Sequence, residues 1–100
     1  MRTLLLCLCL AFVAGPALAA DKVTLMINWY VYGEHAPFYY GKEMGFFKQE
    51  GIDLTINEGR GSANTVQVVA AGSDTFGMAD SSSLITTAAK GADVKSVMSL

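Results

Sequence analysis

Val23-Thr24-Leu25-Met26-Ile27 is a short apolar run that is β-branched in part, and Asn28-Trp29-Tyr30-Val31-Tyr32-Gly33-Glu34-His35-Ala36-Pro37 follows it directly. A run of this length and composition predicts a buried strand over 23–27. Pro37 suits the first turn of a helix, where its missing N–H costs nothing, and Phe38 to Met44 continue that helix. The stretch therefore predicts a strand–loop–helix unit, with a loop rich in aromatic residues.

The remaining sequence repeats this unit. The predicted elements are a strand over 52–56, a helix over 63–71, a strand over 75–79, a helix that starts at an Asp80 or Ser81 cap and runs to Ala89, and a strand over 94–100. Alternation of this kind predicts an α/β fold with a mostly parallel sheet, right-handed crossovers and helices on both faces. Because parallel sheets are normally covered on both faces, the last strand, with no helix after it, leads us to expect an incomplete domain.

Residues 1–19 have the pattern of a secretory signal peptide. A basic Arg2 precedes an apolar segment over 4–14, and Ala17-Leu18-Ala19 places small residues before the expected cleavage point. The apolar run is shorter than the roughly 20 residues of a membrane-spanning helix. We therefore expect export to the periplasm and a mature domain over 20–100, which has no disulfide because Cys7 and Cys9 lie in the peptide.

The charge balance argues against several classes of function. Without Arg2, six basic and nine acidic residues remain, a net charge of −3 (6 − 9) with no basic patch, so no nucleic-acid partner is expected. Metal-ligand spacing is absent, and no nucleophile is placed with a base. We expect no metal, no cofactor and no catalytic residue, and a monomer that binds a small molecule.

The loop after the first strand holds the first candidate binding residues. Trp29 and His35 are the only Trp and the only His of the chain. An indole face can stack on a flat ligand, and an imidazole can hydrogen-bond a ring nitrogen. The alternative, that both side chains pack beneath the loop, is equally supported by spacing alone.

Two further polar turns follow the second and third predicted strands. Gly61 and Ser62 open a helix, where free N–H groups and a hydroxyl can hold an anionic group. Asp80, Ser81, Ser82 and Ser83 open the next helix, and capping explains only one or two of these four polar residues. An ordinary capped loop remains the alternative in each case. All three turns are expected at one edge of the sheet, and this convergence favours a binding site there.

The sequence resembles the SsuA/THI5-like (NMT1/THI5) family. The resemblance rests on five stretches: Leu25-Met26-Ile27-Asn28-Trp29, His35-Ala36-Pro37, Lys42 to Leu54, Ala71 to Met78, and Ala88 to Val97. It implies a type II periplasmic-binding-protein fold, in which two α/β lobes hold ligand between them, and it makes 20–100 the N-terminal part of such a domain. Most bacterial members deliver solutes to an ABC importer.

The spacing from Trp29 to His35 resembles the thiamine-pyrimidine branch of the family. The resemblance implies a periplasmic protein that delivers a thiamine-precursor-like pyrimidine, or another small heterocycle or anion, to an ABC permease in the inner membrane. Alternatives are a thiamine pyrimidine synthase, a sulfonate- or nitrate-binding protein, and a receptor that feeds a sensor. The synthases use a lysine that holds pyridoxal phosphate and a histidine that is consumed. Those positions fall on Ala79 and Ser83, so we expect no enzymatic activity.

Overall fold

The computed structural model describes residues 18–100 of the chain. The predicted signal peptide, apart from residues 18 and 19, lies outside this part. The elements in chain order are β1 (Asp21–Met26), a 3-10 turn (Gly33–His35), α1 (Ala36–Glu43), α2 (Phe46–Gln49), β2 (Ile52–Asn57), α3 (Ser62–Ala70), β3 (Phe76–Gly77) and α4 (Ser81–Ala89). Within residues 18–100, no helix has the length and apolar character needed to cross a membrane.

The sheet has three parallel strands in the order β2-β1-β3. Asp21 to Met26 pair in register with Ile52 to Asn57 on one side, and Leu25 and Met26 pair with Phe76 and Gly77 on the other. The two crossovers run in opposite directions from β1 and β2, so right-handed connections place α1 and α2 on one face and α3 on the other. The α/β prediction is confirmed, and the arrangement is that of a partial periplasmic-binding-protein lobe.

The apolar core lies between the sheet and helices α1 and α2. Leu25, Ile27 and Leu54 are buried and form one cluster, with Ile27 fully inaccessible to solvent. Their alternate positions on β1 and β2 point to one face of the sheet. The half-buried side chains that pack against this cluster come from the same strands and from α1 and α2: Val23, Phe38, Tyr39, Phe47, Ile52 and Ile56.

Polar side chains fix the strands to one another. Thr24 and Thr75 exchange bonds: the Thr75 N–H donates to Thr24 Oγ1 at 2.8 Å, and the Thr24 N–H donates to Thr75 Oγ1 at 3.1 Å. The Asn57 side-chain amide donates to Asp74 Oδ1 at 2.8 Å, which satisfies a buried carboxylate. These bonds tie the turn that precedes β3 to both of the other strands.

The structure differs from the sequence prediction in the last two strands. β3 covers two residues and not 75–79. At its start, the Thr75 N–H bonds a threonine side chain in place of a strand carbonyl. Residues 94–100 form no strand, and Val97, Met98 and Leu100 are largely exposed. A strand needs a hydrogen-bonded neighbour, and the short β3 offers little edge for one.

Gly59 lies against the end of β1. A Cβ atom at this position would stand 1.9 Å from the Ile27 carbonyl oxygen and 3.0 Å from the Asn28 carbonyl carbon, both of them backbone atoms. Neither can move aside without displacing β1. The loop after β2 can therefore approach β1 this closely only with glycine at position 59.

Gly59→Ala should lower the free energy of unfolding by at least about 2 kcal/mol, since it forces two backbones apart. Gly33→Ala is the matched control, because a Cβ there meets nothing within 4 Å, and it should change stability by less than about 1 kcal/mol. Urea unfolding of the full-length protein measures both. Equal stability of the two variants would show that the close approach is not required.

Candidate functional site

The loops after β1 and β2 are joined by backbone hydrogen bonds. The Ile27 N–H donates to the Asn57 carbonyl at 2.9 Å, and the Gly61 N–H donates to the Asn28 carbonyl at 2.8 Å. A weaker bond runs from the Gly59 N–H to the Trp29 carbonyl at 3.3 Å. Two segments that are 30 residues apart in the chain thus form one rigid rim at the carboxyl edge of the sheet.

A side chain adds to this rim. Glu58 Oε1 accepts a hydrogen bond from the Val31 N–H at 3.1 Å. The carboxylate follows β2, and the amide belongs to the aromatic loop after β1, so the bond extends the junction by several residues. Neither Glu58 nor Asn28 was identified from the sequence as a site residue, and only their positions directly after the two strands could have indicated them.

His35 is fully buried and holds the aromatic loop in shape. Its Nδ1 accepts from the Tyr32 N–H at 3.2 Å, and its Nε2 lies 2.7 Å from Asn28 Oδ1. Because Nδ1 accepts, the proton belongs on Nε2, which donates to the Asn28 amide oxygen. The Tyr32 ring packs edge-on against the imidazole at 4.4 Å between centroids. Both ring nitrogens are thus used within the chain, and the predicted hydrogen bond from His35 to a ligand stays a prediction.

Trp29 differs from His35 in that it reaches solvent. Its side chain is 49% exposed, and Tyr30 packs edge-on against it with ring centroids 5.5 Å apart. The guanidinium of Arg60 lies over the Tyr30 ring, 4.3 Å from its centroid. The indole is therefore supported from the side by a second ring, and that ring is covered by a cation. A half-exposed indole at a strand end is suited to stack on a flat ligand.

The polar turns after β2 and β3 are also connected. The Asp80 N–H donates to Ser62 Oγ at 3.0 Å, which links the starts of α3 and α4. Asp80 caps α4 by accepting from the Ser83 N–H at 2.7 Å and the Ser83 hydroxyl at 2.8 Å, and the Ser82 hydroxyl donates to it at 2.5 Å. These hydrogen bonds hold the pKa of the Asp80 carboxyl far below its usual range. The bond from the Ser82 hydroxyl lowers the pKa most, and the bond from the Ser83 N–H comes next. Asp80 is consequently a carboxylate at any physiological pH.

The predicted site residues thus fall into two groups along the same edge. Ser62, Asp80 and Ser82 share hydrogen bonds, and Ser81 is exposed at the start of α4. Gly61 belongs with the aromatic loop, because its N–H bonds the Asn28 carbonyl beside Trp29. Their roles as ligand contacts stay predictions.

An open groove of about 520 Å³ runs between α3 and α4. Ser82 and Ser83 line one end of it, and Lys90 lines the other. Trp29 and His35 do not belong to its lining. Within residues 18–100, no group of three or more His, Cys, Asp or Glu side chains is arranged to hold a metal ion.

The fold is that of an α/β lobe of the periplasmic-binding-protein type. Residues 33–100 match the family described as NMT1/THI5 like, and the chain belongs to this family. The resemblance drawn from the sequence is thereby confirmed. No solved structure gives a significant match to the chain.

Several relatives are named 4-amino-5-hydroxymethyl-2-methylpyrimidine phosphate synthase. The chain is 32% identical over 80 residues to the synthase of Legionella pneumophila. These aligned residues make up 80% of this chain and 25% of that protein. It is 28% identical over 83 residues to a synthase of Saccharomyces cerevisiae, and the aligned residues make up 83% of this chain and 24% of that protein. The identity to the Aspergillus parasiticus synthase is 26% over 83 residues, again 83% of this chain and 24% of the relative. The chain thus spans about a quarter of the length of these relatives.

These names correct one expectation. The absence of a lysine at Ala79 and of a histidine at Ser83 led us to expect that the protein is not an enzyme. That expectation is wrong on the present comparison, because the relatives are named as synthases. The expectation relied on two side chains, whereas the similarity extends over most of the chain.

His35→Ala should destabilise the protein by about 1–3 kcal/mol, because it leaves the Asn28 amide oxygen and the Tyr32 N–H without their partner. Tyr32→Phe is the control. It removes an exposed hydroxyl that contacts Glu34 and Asn28 and keeps the ring against the imidazole, so it should change stability by less than about 0.5 kcal/mol. Thermal or urea unfolding of the full-length protein gives both values. A His35→Ala variant as stable as Tyr32→Phe would contradict the structural role of the imidazole.

Proposed function

We propose that the complete protein acts on the pyrimidine part of thiamine, and that its first candidate activity is that of a 4-amino-5-hydroxymethyl-2-methylpyrimidine phosphate synthase. Membership of the NMT1/THI5 like family and the names of the relatives support this proposal. Because the chain spans about a quarter of those relatives, the activity belongs to the whole protein and not to residues 18–100 alone.

The observation that carries the proposal is the exposure of Trp29 in an otherwise fixed loop. His35 and Asn28 hold the loop from within, and Gly59 and Gly61 hold it from the neighbouring strand. The indole is left half-exposed at the edge where α/β folds bind ligands. A pyrimidine is a flat ring of the size that an indole face can cover, and fixing the indole in advance reduces the entropy lost on binding.

The synthase chemistry implied by the family resemblance involves pyridoxal phosphate, and the described residues do not fit that cofactor. Ala79 offers no amine at the end of β3. The Ser83 N–H and hydroxyl are both bonded to Asp80. Within residues 18–100, the proposal therefore assigns binding and orientation of the ring to this chain and derives no step through the cofactor.

A second candidate function is delivery of the same pyrimidine to an ABC importer. One observation favours it: residues 1–19 have the pattern of an export signal. Under this proposal the protein is periplasmic, and its partner is a permease of the inner membrane. The stacking role of Trp29 is the same in both candidates.

Trp29→Ala should weaken binding of 4-amino-5-hydroxymethyl-2-methylpyrimidine to the full-length protein by about 5- to 100-fold, the usual effect of removing an aromatic stacking partner. Isothermal titration calorimetry measures the affinity. Tyr40→Ala is the control, because Tyr40 is also an exposed aromatic residue but lies on α1, and its affinity should stay within about twofold of wild type.

Mass spectrometry separates the two candidates. The full-length protein is incubated with pyridoxal phosphate, and formation of the pyrimidine phosphate is measured. Formation of the product supports the synthase. Tight binding of the pyrimidine without product supports delivery. If the protein neither forms the product nor binds the pyrimidine, both candidates are contradicted.

A further inference from the structure

Two contacts hold Arg60 beside the paired rings of Trp29 and Tyr30. Its guanidinium carbon lies 4.3 Å from the centroid of Tyr30, and its Nη1 donates to the Gly59 carbonyl at 2.9 Å. Tyr30 in turn packs against Trp29. A cation over an aromatic face is attracted by the negative face of the ring, so the long side chain is held in place before any ligand arrives.

The guanidinium retains most of its hydrogen-bonding capacity in this position. Arginine has five N–H donors, and the bond to the Gly59 carbonyl uses one of them. Glu58, the neighbouring residue of opposite charge, has Oε1 bonded to the Val31 N–H. Arg60 is also exposed at the carboxyl edge of the sheet. Its planar donors match the oxygens of a phosphate, sulfonate or carboxylate.

The other polar turn of this edge is less suited to an anion. Ser62 Oγ accepts from the Asp80 N–H, and the Asp80 carboxylate stays ionised beside it. A negative ligand group near Ser62 would face that charge. The Gly61 N–H is already bonded to the Asn28 carbonyl. An anionic group is therefore better placed on the Tyr30 side of the rim.

We propose that Arg60, fixed over Tyr30 beside Trp29, is the residue that selects an anionic substituent on the ring ligand. The site then takes a flat heterocycle that carries a phosphate or comparable anion in preference to the same ring without it. Trp29 covers the ring, and Arg60 contacts the anion. For a pyrimidine ligand this preference rests on the function proposed above. The preferred ligand is then the phosphate ester of the pyrimidine.

The test compares 4-amino-5-hydroxymethyl-2-methylpyrimidine with its phosphate ester, by calorimetric titration of the full-length protein. Wild type should bind the ester about 10- to 100-fold more tightly, as expected for charge-assisted hydrogen bonds. Arg60→Gln should abolish this preference, so that the two ligands bind the variant with affinities within about twofold of each other. Lys90→Gln removes one positive charge from the α4 end of the other groove and should keep the full preference.

Equal affinities of wild type for the two ligands, or a preference that survives in Arg60→Gln, would overturn the role of Arg60. The proposed function would stand in that case, because the pyrimidine still binds. If neither pyrimidine binds, the proposed function fails. The role of Arg60 is then tested with a second pair of flat ligands, pyridoxine and pyridoxine phosphate. A preference for the phosphate that Arg60→Gln removes would uphold the inference, and no such preference would overturn it.

Discussion

The contact between Gly59 and the carbonyl of Ile27 is the constraint on which the rest of the site depends. A Cβ atom at position 59 would lie 1.9 Å from that oxygen, so the two loops meet only because the side chain is absent. The close approach brings the N–H groups of Gly59 and Gly61 to the carbonyls of Trp29 and Asn28. Backbone groups that would otherwise need water are thereby paired, and the rim of the sheet becomes a single unit.

This unit separates residues that support the loop from residues that face solvent. His35 and Asn28 are turned inward and satisfy each other, whereas Trp29 and Arg60 remain exposed. The buried pair fixes the backbone that carries the indole, and the Tyr30 ring connects the indole to the guanidinium. A site prepared in this way loses little conformational entropy when a flat ligand binds.

Much of the fold could be predicted from the sequence because its signals are local. The apolar run of β1, Pro37 at the start of α1 and the Asp80 cap of α4 all act within a few residues, and all are present. The prediction of a strand over 94–100 was wrong because a strand depends on a hydrogen-bonded neighbour, which the apolar pattern does not specify.

The candidate site was harder to predict because its contacts join distant residues. Composition and position identified Trp29 and His35 together, but only the structure shows one exposed and the other fully buried. The placement of Arg60 over Tyr30 bridges the two loops and has no signature in either one. The polar turns after β2 and β3 were expected at one edge, and the bond between Ser62 and Asp80 joins them there.

A crystal structure of the full-length protein with 4-amino-5-hydroxymethyl-2-methylpyrimidine bound tests the central claim most directly. The account predicts the pyrimidine ring stacked on the indole of Trp29, at a separation of about 3.5–4 Å. It also predicts that the hydrogen bonds of His35 to Asn28 and Tyr32 are retained in the complex. A pyrimidine bound in the groove between α3 and α4, with Trp29 uncovered, would contradict it.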